Sequence, residues 1–443
     1  MSGKLQVGTP NGDSSSSPGR GSVASGKVGP TLSQLTLFVL RAASISSKFL
    51  LAIYTARYLS LSDLGIYGLL VGGTVNASAI VGLGLTDWIV RRIVDLPLAQ
   101  ALPLVASRTA LSTLIHLVGQ PFVLLGFILA GRPLPLALAL LAGAILLLET
   151  LTNEMADVLV ARRRILLANW LNFLRQGCWP VPVIVLGLLL PEARSLKVLL
   201  SFWSAALVLT WIILFALLLQ KGRWRYVRLQ GRLLLDAVRG SRLLYIKDVS
   251  GTVSAFADRF LISLFLGLEL SGVYSLFWSI TNVVHSLVMV VVLQTHVAPV
   301  IGAAKERTGA AFRALERRLQ IDAASWAVLS AGGIAALTPV LLTFLDRPLI
   351  QGYLAVFWLV LVATLLRIGA DGYALAIYAF HRDRAIALIA VAGALVSATM
   401  NALLAPAAGL WGSAFAYTLT SAGLLAARVL VSRAAARSVF VDT

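Results

Sequence analysis

The sequence predicts an all-α polytopic membrane protein with about 12 transmembrane helices in two homologous six-helix lobes. Composition is the first ground. Of the 443 residues 58% are hydrophobic and 13% charged, at a mean hydropathy of +0.88, which leaves too little polar surface to cover a soluble globule of this size. Run length is the second, because the apolar residues come in stretches of about 20 or more, enough to cross a hydrocarbon core. The third ground is an internal repeat. Leu59-Ser-Leu61-Ser-Asp-Leu-Gly65-Ile-Tyr67-Gly-Leu69 and Leu266-Gly-Leu268-Glu-Leu-Ser-Gly272-Val-Tyr274-Ser-Leu276 agree at Leu59/Leu266, Leu61/Leu268, Gly65/Gly272, Tyr67/Tyr274 and Leu69/Leu276, with one constant offset and no gap. Each copy is a short polar break between two apolar runs, so the duplicated unit is a membrane hairpin. Duplicated membrane halves usually hold a transport site between them.

Residues 1–32 are rich in Ser and Gly, lack the apolar core of a signal peptide, and are expected to form a disordered cytoplasmic tail. The N-terminal lobe, residues 33–220, is expected to cross at about 33–59, 65–90, 104–130, 134–160, 165–190 and 196–220. Its first span carries Arg41, Ser44, Lys48 and Thr55 as a polar cationic stripe, since positions seven apart on a helix fall about 20° from one line. Gly72, Gly73, Gly82 and Gly84 let the second span approach its neighbours closely. The fourth is the most acidic, with Glu149, Glu154 and Asp157, and the fifth holds Arg175 and is bent by Pro180 and Pro182. A basic cytoplasmic linker, residues 221–243, then joins the lobes and is expected to lie against anionic headgroups.

The C-terminal lobe, residues 244–433, repeats the plan at about 244–268, 272–300, 319–345, 349–380, 385–405 and 409–431. In its first span Asp258 continues a polar line from Ser250 and Ser254, which suggests a cavity-facing carboxylate. Asn282, His285 and His296, like Asn76 in the first half, are isolated polar residues expected to make interhelical hydrogen bonds. Before the third span, residues 305–318 read as an amphipathic interfacial helix with Phe312, Leu315 and Leu319 on one face. Gly332-Gly333 and Pro339 follow, then Arg367 with Asp371 four residues on, spaced for an intrahelical ion pair. Residues 434–443 close the chain as a cytoplasmic tail. Lys and Arg crowd the terminal side of this plan and leave Arg132, Arg194, Lys197 and Arg347 opposite, so both termini are expected in the cytoplasm.

The formal net charge of +18 does not point to nucleic acid, because the basic residues punctuate apolar runs rather than forming a binding domain. Cys178 is the only cysteine, which excludes an internal disulfide and a multi-Cys metal site. Gly21-Ser-Val-Ala-Ser-Gly26-Lys27 imitates a phosphate loop, but Val28 replaces the hydroxyl residue and no strand precedes it. Candidate function rests on ionisable residues inside spans, which are costly unless they face a cavity or a partner. Arg41, Lys48, Arg175 and Arg367 are the expected substrate-binding cations. Glu149, Asp258 and Asp371 are the candidates for ion coupling, and Arg57 beside Tyr58 reads as an interfacial anchor. Glu154 and Asp157 are expected to meet Arg162-Arg-Arg164. No catalytic or metal-ligating set is predicted.

Ala56-Arg57-Tyr58-Leu59 leading to Asp63-Leu-Gly65-Ile-Tyr67, then Gly82-Leu-Gly84-Leu and Arg91-Arg92, resembles the amino-terminal hairpin of the oligosaccharide (O-antigen and exopolysaccharide) flippases of the multidrug, oligosaccharidyl-lipid and polysaccharide exporter superfamily. Ala257-Asp258-Arg259-Phe260 with Leu266-Gly267 and Gly272-Val-Tyr274 resembles its counterpart. The resemblance implies alternating-access transfer of an undecaprenyl-diphosphate-linked glycan from the inner to the outer leaflet of the bacterial cytoplasmic membrane, beside polysaccharide polymerase and glycosyltransferase partners. It implies no cofactor, with coupling to a proton or sodium gradient open. Two readings stand beside it: a cation-coupled multidrug exporter of the same superfamily, and a membrane glycosyltransferase, polymerase or ligase, against which the short outer loops and the lack of an acid/base pair argue. A scaffold of the assembly complex is a third.

Overall fold

The computed structural model describes residues 32–94, 96–129, 135–306 and 309–440. The expected tail 1–32, all but Leu32, and Arg132 lie outside them. Every regular element among the described residues is helical. In the first half the order is α1 (Leu32–Tyr58), α2 (Leu61–Gly82), α3 (Leu85–Ile93), α4 (Leu98–Leu129), α5 (Leu136–Ala161), α6 (Ile165–Phe173), α7 (Pro180–Leu189) and α8 (Leu196–Leu219). After α9 (Gly231–Gly240) come α10 (Arg242–Leu266), α11 (Leu268–Val288), α12 (Gln294–Lys305), α13 (Gly309–Leu345), α14 (Pro348–Gly352), α15 (Leu354–Ala379) and α16 (Asp383–Phe440).

Ten helical stretches among the described residues are long and apolar enough to cross a membrane, against the twelve expected. Two local events account for the difference. The fifth expected span is cut into α6 and α7 by a π turn at Leu174–Cys178, so neither piece reaches the length of a crossing. The eleventh and twelfth run together as the 58-residue α16, where Ala408 and Gly409 leave helical geometry (Gly409 φ 60°) and turn the chain back. A second π turn, Met289–Leu293, joins α11 to α12 within the eighth span.

The repeat is a physical contact. A Cβ on Gly65 would sit 2.1 Å from the Leu268 carbonyl oxygen, and one on Gly272 would sit 2.1 Å from the Leu61 carbonyl oxygen. The two copies therefore cross backbone to backbone at their shared glycine, where only a missing Cβ permits the approach. Apolar packing is continuous through this crossing: Ala52, Ala56 and Leu64 belong to the same buried cluster as Val273, Tyr274 and Phe277. A second cluster, Leu51, Tyr54, Ile145, Trp179 and Leu199 among its members, lies wholly in the first half.

One sequence expectation is corrected here. Residues 309–318 are not an interfacial helix but the first turns of α13, because Phe312 is fully buried against Phe380 and Phe440, at ring distances of 4.6 and 5.6 Å. The linker also docks on protein: Ala237 is buried with Ile89, Ile93 and Leu104, the Ser241 hydroxyl donates to the Leu83 carbonyl at 2.9 Å, and Gln230 N–H donates to Ser107 Oγ at 2.7 Å.

Candidate functional site

A cavity of about 920 Å³ lies between α1, α2, α5 and α8 on one side and α10, α11, α15 and α16 on the other. Its wall extends to Thr86, Asp157 and Lys247, near the helix ends on the side of the chain termini. The opposite, distal ends are drawn together. Beyond the glycine crossing, Arg57 Nη1 donates to the Leu345 carbonyl at 3.0 Å and pairs with Asp346 at 3.5 Å, while Arg347 Nη2 donates to the carbonyls of Arg57 and Leu59 at 3.0 and 3.1 Å. Arg57, expected as an interfacial anchor, forms half of a strap from α1 to the α13 end.

Lys48, Arg175, Arg367, Glu149 and Asp371 all line the cavity, five of the seven residues expected at the site. Arg175 sits on the π turn, whose extra residue turns it toward α5, and its Nη1 donates to Glu149 Oε2 at 2.8 Å. Glu149 Oε1 accepts from Trp203 Nε1 at 2.8 Å, and Trp203 stacks on Trp179 with ring centroids 5.4 Å apart and planes 9° apart. Glu149 and Arg175 are thus a buried pair, each neutralising the other, rather than free groups. Lys48 differs: its Nζ donates to the Gln176 side-chain oxygen, a neutral acceptor that leaves the charge standing.

Across the cavity, Asp371 does not pair with Arg367. Its Oδ1 accepts from Arg428 Nη1 at 2.6 Å and its Oδ2 lies 2.9 Å from His285 Nε2, so α15, α16 and α11 meet on one carboxylate. Arg367, one turn earlier on α15, keeps a buried Nη1 with no hydrogen-bond partner. The expected i,i+4 pair loses to ligands from two other helices that reach the same carboxylate.

Arg41 and Asp258 are absent from the cavity lining. Arg41 Nε donates to Asn169 Oδ1 at 2.9 Å and its Nη1 to Gln294, tying α1 to α6 and α12. Asp258 is buried and accepts from the Tyr274 hydroxyl at 2.8 Å and from the Arg259 backbone N–H at 2.8 Å. Its neighbour Arg259 is wholly buried, with its guanidinium 3.7 Å from the Trp278 ring centroid and 4.6 Å from that of Phe256. Asp248, the offset counterpart of Arg41, pairs with Lys247 at 3.2 Å.

Other expectations shift in the same way. Glu154 meets Arg108 at 3.3 Å and the Ser112 hydroxyl at 2.7 Å rather than Arg162, which donates to the Ile93 and Leu96 carbonyls. Asn76 bonds within its own helix, to the Gly72 carbonyl at 2.9 Å. His296 does reach another helix, with Nε2 at 3.4 Å from Asp322. Sequence reasoning passed over Arg428, Trp179 and Trp203. An ionisable residue within the last span was the available signal for Arg428, whereas nothing local marks the two tryptophans. Among the described residues no group of three or more His, Cys, Asp or Glu is placed to hold a metal ion.

The helices and their central cavity define a polytopic α-helical membrane protein. No family model and no curated protein matches the sequence. The fold is that of solved MATE family transporters of the MOP superfamily. The chain aligns with an inward-facing multidrug resistance MATE family transporter at a TM-score of 0.69 and 15% identity, covering 93% of this chain and 96% of that one. The outward-facing form of such a transporter gives 0.61 at 15% identity, covering 92% and 96%. A MOP superfamily transporter from Pyrococcus furiosus, described as having a binding pocket of reverse polarity that suggests a different function, gives 0.58 at 13% identity, covering 91% and 95%.

Proposed function

We propose that the chain is an alternating-access membrane transporter whose cargo has an anionic head, of the class of undecaprenyl-diphosphate-linked oligosaccharides. One observation carries the choice of cargo. Among the described residues lining the cavity, Glu149 is paired with Arg175, Asp371 with Arg428 and Asp248 with Lys247, and Asp157 has a partner of its own, while Lys48 and Arg367 face the space with no ion pair. Cations held without an ion pair in a low-dielectric site are costly, and a phosphate-bearing head entering between them offsets that cost. In this reading residues 33–220 and 244–433 are two lobes rocking about the glycine crossing. The protein works in a bacterial cytoplasmic membrane with both termini cytoplasmic, beside polymerase and glycosyltransferase partners, and needs no cofactor.

A second reading is favoured by the multidrug resistance transporters that share the fold. Cation-coupled export of drugs would use Asp371 and Glu149 for positively charged cargo. Proteoliposomes loaded with a fluorescent short-chain polyprenyl-diphosphate sugar separate the two. Hydrogen bonds to charged groups contribute about 1.5–3 kcal/mol, so Lys48→Ala and Arg367→Ala should each slow transfer by about tenfold or more. Unchanged transfer in both variants, or transfer only of cationic dyes by the parent, would overturn the anionic-cargo reading.

A further inference from the structure

His285 and Asp371 line the cavity, and with Arg428, which is not in its wall, they form a cluster that draws on three helices of the second half. Its geometry fixes the imidazole's hydrogens. Asp371 is ion-paired through Oδ1 to Arg428, and an ionised carboxylate only accepts, so His285 Nε2 carries a hydrogen and donates it to Oδ2. That leaves Nδ1 as the open proton site, with no hydrogen-bond partner among the described residues. Charge then decides when a proton can stay. Arg428 already balances Asp371, and Arg367 stands uncompensated one turn away, so a proton on Nδ1 of the empty cavity adds a second unbalanced positive charge to this wall.

Other neighbours do not relieve it. On α10, Asp248 is held by Lys247; across the cavity Glu149 is held by Arg175 and Lys48 is itself cationic; on α13, Asp322 faces His296. An anionic group seated against Arg367 would.

We propose that His285 takes up a proton as anionic cargo binds, so that proton and cargo enter the cavity together instead of competing for it. This rests on the anionic-cargo reading above and gives it a sign. A proton-coupled exporter of cationic drugs would release a proton on binding cargo, because both seek the same carboxylate. By linkage, uptake on binding also means tighter binding as pH falls.

The experiment mixes purified full-length protein in detergent with farnesyl diphosphate, a short polyprenyl diphosphate, in weakly buffered solution containing a pH indicator, with affinity measured in parallel from about pH 8 to about pH 6. Expected are net proton uptake of up to about one per bound ligand and affinity rising by up to about tenfold per pH unit, since one proton is linked to one ligand. His285→Gln should bind ligand with no uptake and a flat pH profile, and His285→Asn serves as the second variant should Gln disturb packing. Binding by the parent with no proton exchange, or with release, overturns the proposal and leaves the cargo reading standing. Uptake that persists in both His285 variants overturns it as well. Absence of binding in the parent defeats both readings together.

Discussion

Replacing Gly65 or Gly272 by alanine should loosen the contact between α2 and α11. In each case the added methyl would lie 2.1 Å from a backbone carbonyl oxygen of the opposing helix, and ordinary contact begins near 3.4 Å, so the helices must part by about 1.3 Å. The obstacle is main chain, not a side chain that can swing aside. Overpacking of this kind costs about 1–3 kcal/mol, and better helix propensity returns about 0.8–1 kcal/mol. With backbone on both sides of the contact, a net loss of about 2 kcal/mol is expected for each variant. The double variant should lose much less than the sum, because one separation accommodates both methyls. Titration of the detergent-solubilised protein with SDS, read by tryptophan fluorescence, measures the loss. Gly423→Ala and Gly119→Ala, which have open space around the added carbon, are the controls and should not destabilise. If all four variants were equally stable, or if Gly65→Ala and Gly272→Ala were strictly additive, the close crossing would be refuted.

Arg175→Ala should strand Glu149 as a buried charge with Trp203 as its remaining donor, at a cost of about 3–5 kcal/mol in the same titration; adding Glu149→Gln should restore much of it. Arg347→Ala removes the two bonds to the Arg57 and Leu59 carbonyls, so a cysteine placed at Ser60 should react faster with a membrane-impermeant thiol reagent added from the distal side. An unchanged rate would show that the strap does not hold the distal end. Arg41→Gln should leave cargo affinity unchanged, because Arg41 is not in the cavity wall, while lowering stability through the lost ties to Asn169 and Gln294.

The hairpin repeat and the apolar runs were legible in the sequence because both are set by composition over many residues, and they carry the fold class. The span count was less so. Whether 165–190 is one helix or two depends on a single residue of hydrogen-bond register at Leu174–Cys178, and hydropathy does not sense register. Lys48 could be placed by depth alone, since a short polar stripe in a long span must face something polar. Partner choice could not. Arg367 and Asp371 share a helix face, yet Asp371 is claimed by His285 and Arg428, which are 86 and 57 residues away. Asp258 shows the converse: its polar line with Ser254 is real, but Tyr274, the repeat tyrosine, captures the carboxylate.

A π turn holds one residue more than the helix around it needs. The halves carry theirs in different places, the fifth span in the first and the second span in the second, at Leu174–Cys178 and Met289–Leu293. Equivalence between the halves by a fixed numerical shift therefore expires at Met289. The shift carries Met289 onto Gly82, the last residue of α2; there the first half breaks at Leu83 and Gly84, both left-handed, whereas the second half continues through its π turn into α12. Chimeras that exchange a segment of one half for the other would keep their faces aligned if cut before this point. Cut after it, they would join a helix that continues in one half to a chain that turns at Leu83 and Gly84 in the other.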